Sequence, residues 1–168
     1  MIKSKPGFIR WLYLVVSLFL IGLDQFTKNL AIATLKLGVD YPVIGEILSW
    51  RLVYNDSAAF SLGFGYTWIL AITSSIAMLA TIWFARRITS VSWSIMAGIF
   101  LAGVVGNLVD RLIREPGFGN GHVIDFIQIP FNFPVFNLAD IFIVSMAILS
   151  VLRVLRGENI GGVEPRTK

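Results

Sequence analysis

Four stretches of about twenty mostly apolar residues constrain this chain more than any other feature. They run over Trp11–Ala33, Tyr66–Ala85, Val91–Val109 and Val135–Leu155. A helix needs about 20 such residues to cross a bilayer, so the spacing predicts an all-α polytopic membrane protein with four transmembrane helices. Composition agrees, since 56% of the 168 residues are hydrophobic and only 14% are charged. Soluble domains carry about 25% charged residues. A chain this apolar could not cover itself with polar groups, which argues against a soluble enzyme, a disordered chain and a coiled coil. Cysteine is absent, so disulfides and thiol chemistry are excluded. With His122 the one histidine, an all-protein zinc site is not expected and no cofactor is implied.

The first stretch resembles a secretory signal, with Lys3, Lys5 and Arg10 ahead of it and Ala31-Ile32-Ala33 behind. Asp24 and Lys28 interrupt that pattern and three more spans follow, so it reads as a retained helix. Basic residues collect on the cytoplasmic side of membrane proteins. An inside N-terminus places nine of the 14 basic residues there: Lys3, Lys5, Arg10, Arg86, Arg87, Arg153, Arg156, Arg166 and Lys168. Both termini are then cytoplasmic and both long connections face outward. No basic patch on a polar face is visible, so nucleic acid is not an expected partner. The first connection, Leu37–Gly65, alternates in VIGEILSWRLVYN with a turn at Gly45-Glu46. It predicts a small β-rich extracytoplasmic cradle or flap between helices 1 and 2, with Trp50, Tyr54, Phe60 and Phe64 suited to an interfacial layer. Residues 1–156 read as one membrane-embedded domain and 157–168 as a flexible cytoplasmic tail.

Polar residues inside such spans cost free energy and usually mark function. Under the charge-derived topology Asp24, Lys28, Asp110, Arg111 and Asp140 all fall at the outer ends of their spans. Asp24 and Lys28 lie four apart and read as a structural ion pair. Arg111 either snorkels to headgroups or holds a carboxylate or the outer loop. Asn107 and Asn137 read as interhelical hydrogen-bond donors beside a site. Asn55, in Tyr-Asn-Asp-Ser, could form an Asx turn, and His122 reads as a loop residue. Gly98, Ala102 and Gly106 are spaced for close helix packing, here read as intramolecular.

Asp125 and Asp140 are the informative pair. HVIDFIQIP reads as a short extended stretch that carries Asp125 to the membrane surface, and Asp140 falls in the first turns of span four. Two close carboxylates do not both ionise easily and share one proton. Such a dyad activates water with one acid and protonates the leaving amine with the other. Spacing alone leaves open whether the two acids meet.

Five blocks in order resemble the lipoprotein signal peptidase (signal peptidase II) family. They are Asp24-Gln-Phe-Thr-Lys28, Tyr54-Asn55-Asp-Ser-Ala-Ala-Phe-Ser61, Gly106-Asn-Leu-Val-Asp-Arg111, His122-Val-Ile-Asp-Phe126 and Phe136-Asn-Leu-Ala-Asp140. The resemblance implies an intramembrane aspartic endopeptidase with Asp125 and Asp140 catalytic. It assigns Asp24, Lys28, Asn55, Asn107, Asp110, Arg111 and Asn137 to substrate contact or site support. It implies a prolipoprotein substrate whose cysteine carries a diacylglyceryl thioether, cut on the amino side of that cysteine. The setting it implies is the bacterial cytoplasmic membrane, with a monomer among membrane lipids. Ser57, preceded by Asp56, stands where the family usually has glycine. The rival reading is a small proton-coupled transporter using the same acids, and a third is a non-catalytic scaffold. A carrier tends to place its acids near the midplane within repeats, whereas these gather at one face.

Overall fold

A computed structural model describes residues 6–56 and 67–162 of the chain. Four helices form: α1 (Pro6–Thr34), α2 (Thr67–Ala85), α3 (Val91–Ile113) and α4 (Leu138–Leu155). All four are long and apolar enough to cross a membrane. Phe60, Phe64 and Ser57 of the expected flap lie outside the described residues, as do Lys3, Lys5, Arg166 and Lys168.

The third helix is the centre of the bundle. Of its most apolar window 61% is buried, against 22%, 11% and 6% for α1, α2 and α4. The outer helices turn Leu18, Phe19, Ile76, Ile148 and similar side chains outward, as lipid-facing surfaces do. Small residues let the backbones approach. A Cβ at Gly98 would sit 2.6 Å from the Tyr13 carbonyl of α1, and one at Gly103 would sit 2.5 Å from the Ala139 carbonyl of α4. A Cβ at Gly106 would meet Asp24 at 2.6 Å. The small-residue stripe therefore serves packing within the chain.

Two helix boundaries differ from the apolar count. Helix α3 continues past Val109 to Ile113, because Asp110 and Arg111 face protein rather than lipid and do not end it. Helix α4 begins at Leu138 rather than Val135, where Asn137 supplies the cap.

A three-stranded antiparallel sheet in the order β1-β2-β3 covers one end of the bundle. Strands β1 (Asp40–Ile44) and β2 (Leu48–Asn55) form the expected hairpin, turning at Gly45, whose φ of +49° suits glycine. The third strand, β3 (Val123–Gln128), comes from the connection between α3 and α4. The cradle thus draws on both long connections. Leu52, Ile124 and Phe126 pack with Ala31 of α1 beneath the sheet, and Trp50 lies 6.0 Å from the Phe126 ring. The register sets Val53 opposite Asp125 and Asn55 opposite Val123. At the other end of the bundle, residues 157–162 turn back onto the link between α2 and α3, where Thr89 N–H donates to the Gly161 carbonyl at 3.0 Å.

Candidate active site

Three elements converge at the sheet-covered end. The β2–β3 pairing brings Asn55 to Asp125, whose Oδ2 accepts from Asn55 Nδ2 at 2.7 Å. Asn55 therefore makes a long-range bond to a candidate acid, with more than a local turn to make. The other oxygen, Oδ1, accepts from Asn137 Nδ2 at 2.6 Å.

Asn137 caps α4. Its Oδ1 accepts the Asp140 N–H at 3.1 Å while Asp140 Oδ2 accepts the Asn137 N–H at 3.1 Å. This reciprocal box satisfies two of the N–H groups a helix start leaves free, and the helix dipole favours a carboxylate there. The remaining oxygen of Asp140 accepts from Asn107 Nδ2 of α3 at 2.8 Å. One amide, Asn137, thus bonds Asp125 and, through Asn107 Oδ1 at 3.1 Å, the amide that bonds Asp140. The two acids are coupled by a short chain of two side-chain amides.

Lys28 fixes which way that chain runs. Its Nζ donates to Asn107 Oδ1 at 2.9 Å, to Asp24 Oδ2 at 2.9 Å and to Asp110 Oδ2 at 2.8 Å. A lysine has three donors, and all three are engaged with the side chain fully buried. The Asn107 carbonyl oxygen is held on the lysine, so its NH₂ faces Asp140. The expected Asp24–Lys28 pair exists and does more than pair.

The same two carboxylates anchor neighbouring elements. Asp24 Oδ1 accepts the Ala139 N–H at 3.0 Å, tying α1 to the start of α4. Asp110 Oδ2 accepts the Ile124 N–H at 3.3 Å, tying α3 to β3. Arg111 is 8% exposed, so it does not snorkel; Nη1 donates to its own helix at Asn107 O, 3.3 Å away. Its charge acts on Asp140, Asp110 and Asp125, and its Nε has no hydrogen-bond partner among the described residues. The Arg111 carbonyl accepts Gly121 N–H, which holds the following loop by main chain rather than side chain. His122 is a loop residue whose N–H donates to the Glu115 carbonyl.

Two supporting residues were not singled out from sequence. Arg114 Nε meets Asp110 Oδ1 at 2.7 Å, and its four-residue spacing from Asp110 was the available signal. Gln25 Nε2 lies within reach of Asp24, Asp110 and the Gly106 carbonyl. It sits inside the first motif, but a glutamine carries no periodic signal of its own.

Asp125 is 2% exposed, whereas Asp140 is partly open. Burial first, and then the charge of Asp140, push the Asp125 carboxyl up to about 7, against the pull of Asn55 and Asn137. A carboxylic acid that keeps its proton near neutrality, beside a second carboxyl with solvent access, is the pairing general acid–base chemistry requires. Among the described residues, no three His, Asp or Glu side chains are grouped as a metal site would need.

The chain is similar to known proteins over most of its length. Residues 16–156 match the family described as Signal peptidase (SPase) II. The lipoprotein signal peptidase of Leifsonia xyli subsp. xyli is 46% identical over 152 residues, 90% of this chain and 70% of the relative. That of Mycobacterium avium is 41% identical over 166 residues, 99% of this chain and 91% of the relative. Among solved structures, a bacterial membrane enzyme obtained by the in meso method at 2.3 Å resolution superposes with a TM-score of 0.78 at 25% identity, covering 93% of this chain and 94% of its own. A second, at 1.9 Å resolution, gives 0.75 at 26% identity over 86% and 92%. With a match this long and relatives this similar, the chain belongs to the signal peptidase II family, the lipoprotein signal peptidases.

Proposed function

We propose that the chain is an intramembrane aspartic endopeptidase that removes the signal peptide from diacylglyceryl-modified prolipoproteins, cutting on the amino side of the lipidated cysteine. Family membership carries the peptidase activity, and it leaves the transport and scaffold readings without support. The observation that carries the catalytic assignment is the amide chain joining Asp125 to Asp140 through Asn137 and Asn107.

In the proposed reaction one carboxyl of the dyad is protonated and the other ionised. The ionised acid takes a proton from water as its oxygen bonds to the scissile carbonyl carbon. The protonated acid gives its proton to the carbonyl oxygen. The tetrahedral gem-diol then collapses: the C–N bond breaks, the leaving nitrogen of the cysteine takes the proton from the acid that first accepted one, and a gem-diol hydroxyl returns its proton to the acid that first gave one. The dyad returns to its starting charge. Asp125, held protonated by burial, is assigned the first donor, and the more accessible Asp140 the base. Lys28, Asp24 and Asp110 position, Asn107 and Asn137 orient, and Asn55 and Arg111 flank the substrate.

Arg86, Arg87, Arg153 and Arg156 belong to the opposite end of the bundle from the carboxylates. By the positive-inside rule this supports cytoplasmic termini and a site at the extracytoplasmic face of the bacterial cytoplasmic membrane. There the acyl chains stay in lipid while the peptide bond meets water. A gel-shift cleavage assay on a diacylglyceryl-modified prolipoprotein tests the assignment. The Asp140→Asn variant should leave the precursor uncut. Processing at the parent rate would defeat the dyad.

A further inference from the structure

A cavity lies at the end of the bundle far from the carboxylates. Helices α2 and α4 each pack on α3, and between them they leave a groove of about 610 Å³. Phe84, Trp93, Phe100, Met146, Val154 and Ile160 are among the side chains that line it. Small-molecule sites occupy roughly 300–1,000 Å³. A spanning helix about 30 Å long and 10 Å across displaces about 2,400 Å³, so a single flexible chain suits this space better than a helix.

Arginines adjoin the groove lining in the chain at this end. Arg86 and Arg87 fall between the lining residues Phe84 and Ile88, and Arg156 follows the lining pair Val154 and Leu155. All three guanidinium groups are exposed, and Arg87 lies over the Trp83 ring, 3.9 Å from its centre. Glu158 is the one acid at this end among the described residues, and Arg153 holds it, with Nε to Oε2 at 2.8 Å. The returning tail keeps it there and contributes Ile160 to the groove wall. Thr89 Oγ1 donates to the Gly162 carbonyl at 2.8 Å, and Gly161, with φ +74°, lies against Phe84 and Ile88. An apolar slot with three exposed arginines beside its lining, Arg87 stacked on Trp83 and Arg156 acting with Arg153 on Glu158, matches one chemistry, an acyl chain beneath a negatively charged phosphate.

We propose that this groove is a binding site for an anionic phospholipid, with an acyl chain between α2 and α4 and the headgroup phosphate at Arg86, Arg87 and Arg156. A basic-headed peptide helix is disfavoured there by like charge. The site is separate from the carboxylates and does not depend on the mechanism proposed for them.

Trp93 in the groove wall supplies a reporter. The full chain is reconstituted in phosphatidylcholine bilayers containing graded amounts of chain-brominated phosphatidylglycerol or chain-brominated phosphatidylcholine. The Trp93 signal is the difference between the parent and Trp93→Phe. It should be half-quenched at about tenfold less brominated phosphatidylglycerol than phosphatidylcholine. The triple variant Arg86→Gln/Arg87→Gln/Arg156→Gln should erase that preference. Equal quenching by both lipids would reduce the groove to ordinary lipid contact and overturn the proposal. Absence of quenching, or its reversal by an added apolar helical peptide with a basic N-terminus, would overturn it too. Should Trp93→Phe fail to fold, native mass spectrometry of the parent protein decides. Retained phosphatidylglycerol adducts that the triple variant loses uphold the site, and identical adduct patterns for both lipids refute it.

Discussion

Replacing Lys28 with Met removes one cation from a group that balances charge with nothing to spare. Asp24 and Asp110 are both fully buried, and Lys28 and Arg114 are the cations that touch them. Methionine keeps the volume and apolar stem but leaves two carboxylates with one cation, and Asn107 Oδ1 with one donor instead of two. Removing one partner of a buried ion pair costs about 3–5 kcal/mol, because the remaining charge stays desolvated. The expected loss is in that range, read as the shift in equilibrium unfolding by SDS in mixed micelles, followed by circular dichroism. Adding Asp24→Asn restores the charge balance. The double variant should therefore be more stable than the sum of the single effects by about 1–3 kcal/mol. Unfolding within about 0.5 kcal/mol of the parent would refute the reasoning. If cleavage were lost as well, Lys28 would become a substrate contact rather than a support.

The pH dependence follows from Asp125. Its carboxyl sits at about 7 in the folded chain against an ordinary 3.8, so the fold binds the proton more tightly than the unfolded chain does. This contribution is fully present below about pH 4, falls as pH rises and is gone above about 7, a span of about 4 kcal/mol for a buried group. Asp125→Asn should flatten that slope in unfolding measured from pH 4 to 8. The same proton sets the alkaline limb of activity, so kcat/KM should fall about tenfold per unit above pH 7; a flat profile to pH 9 would remove Asp125 as the proton donor. Gly103→Ala places a methyl 2.5 Å from the Ala139 carbonyl and 2.7 Å from Ile143. It should cost about 1–3 kcal/mol, whereas Gly22→Ala, with nothing within 4 Å, should stay within about 0.5 kcal/mol of the parent. Dialysis against EDTA should leave cleavage unchanged, and its loss on chelation with recovery on adding zinc would call for a metal mechanism.

The helices were legible because a bilayer demands one pattern, length without charge, and the four spans wear it openly. Their inner order was not. That α3 is central shows in the sequence only as Gly98, Ala102, Gly103 and Gly106, since lipid and protein interior select the same apolar side chains. The hairpin was legible from alternation in β2 and from Gly45. The partnership of β2 with β3 was not, because sixty-seven residues part Asn55 from Val123 and antiparallel pairing at that distance leaves no periodic mark. Among the polar residues, misplacement in an apolar chain flagged Asp24, Lys28, Asn107, Asp110, Arg111 and Asp140. Asn55 carried a local turn signal that masked its long-range bond to Asp125. Gln25 and Arg114 went unnoticed because neither is costly where it stands in the sequence: one is uncharged and the other falls at a helix end.

The bond from Asp24 to the Ala139 N–H joins residues 115 positions apart. It has a consequence for the order in which the protein is made. A ribosome delivers α1 first and α4 last, so the anchoring aspartate waits in the membrane through the synthesis of nearly everything else. Asp125 emerges before the residue that orients it, Asn137, and before its companion Asp140. A chain extended past Asp125 but short of Asp140 therefore holds one acid and no partner. On the proposed dyad, hydrolytic competence arrives as a single late event, when the fourth helix docks, and the nascent protein stays harmless to its neighbours until then.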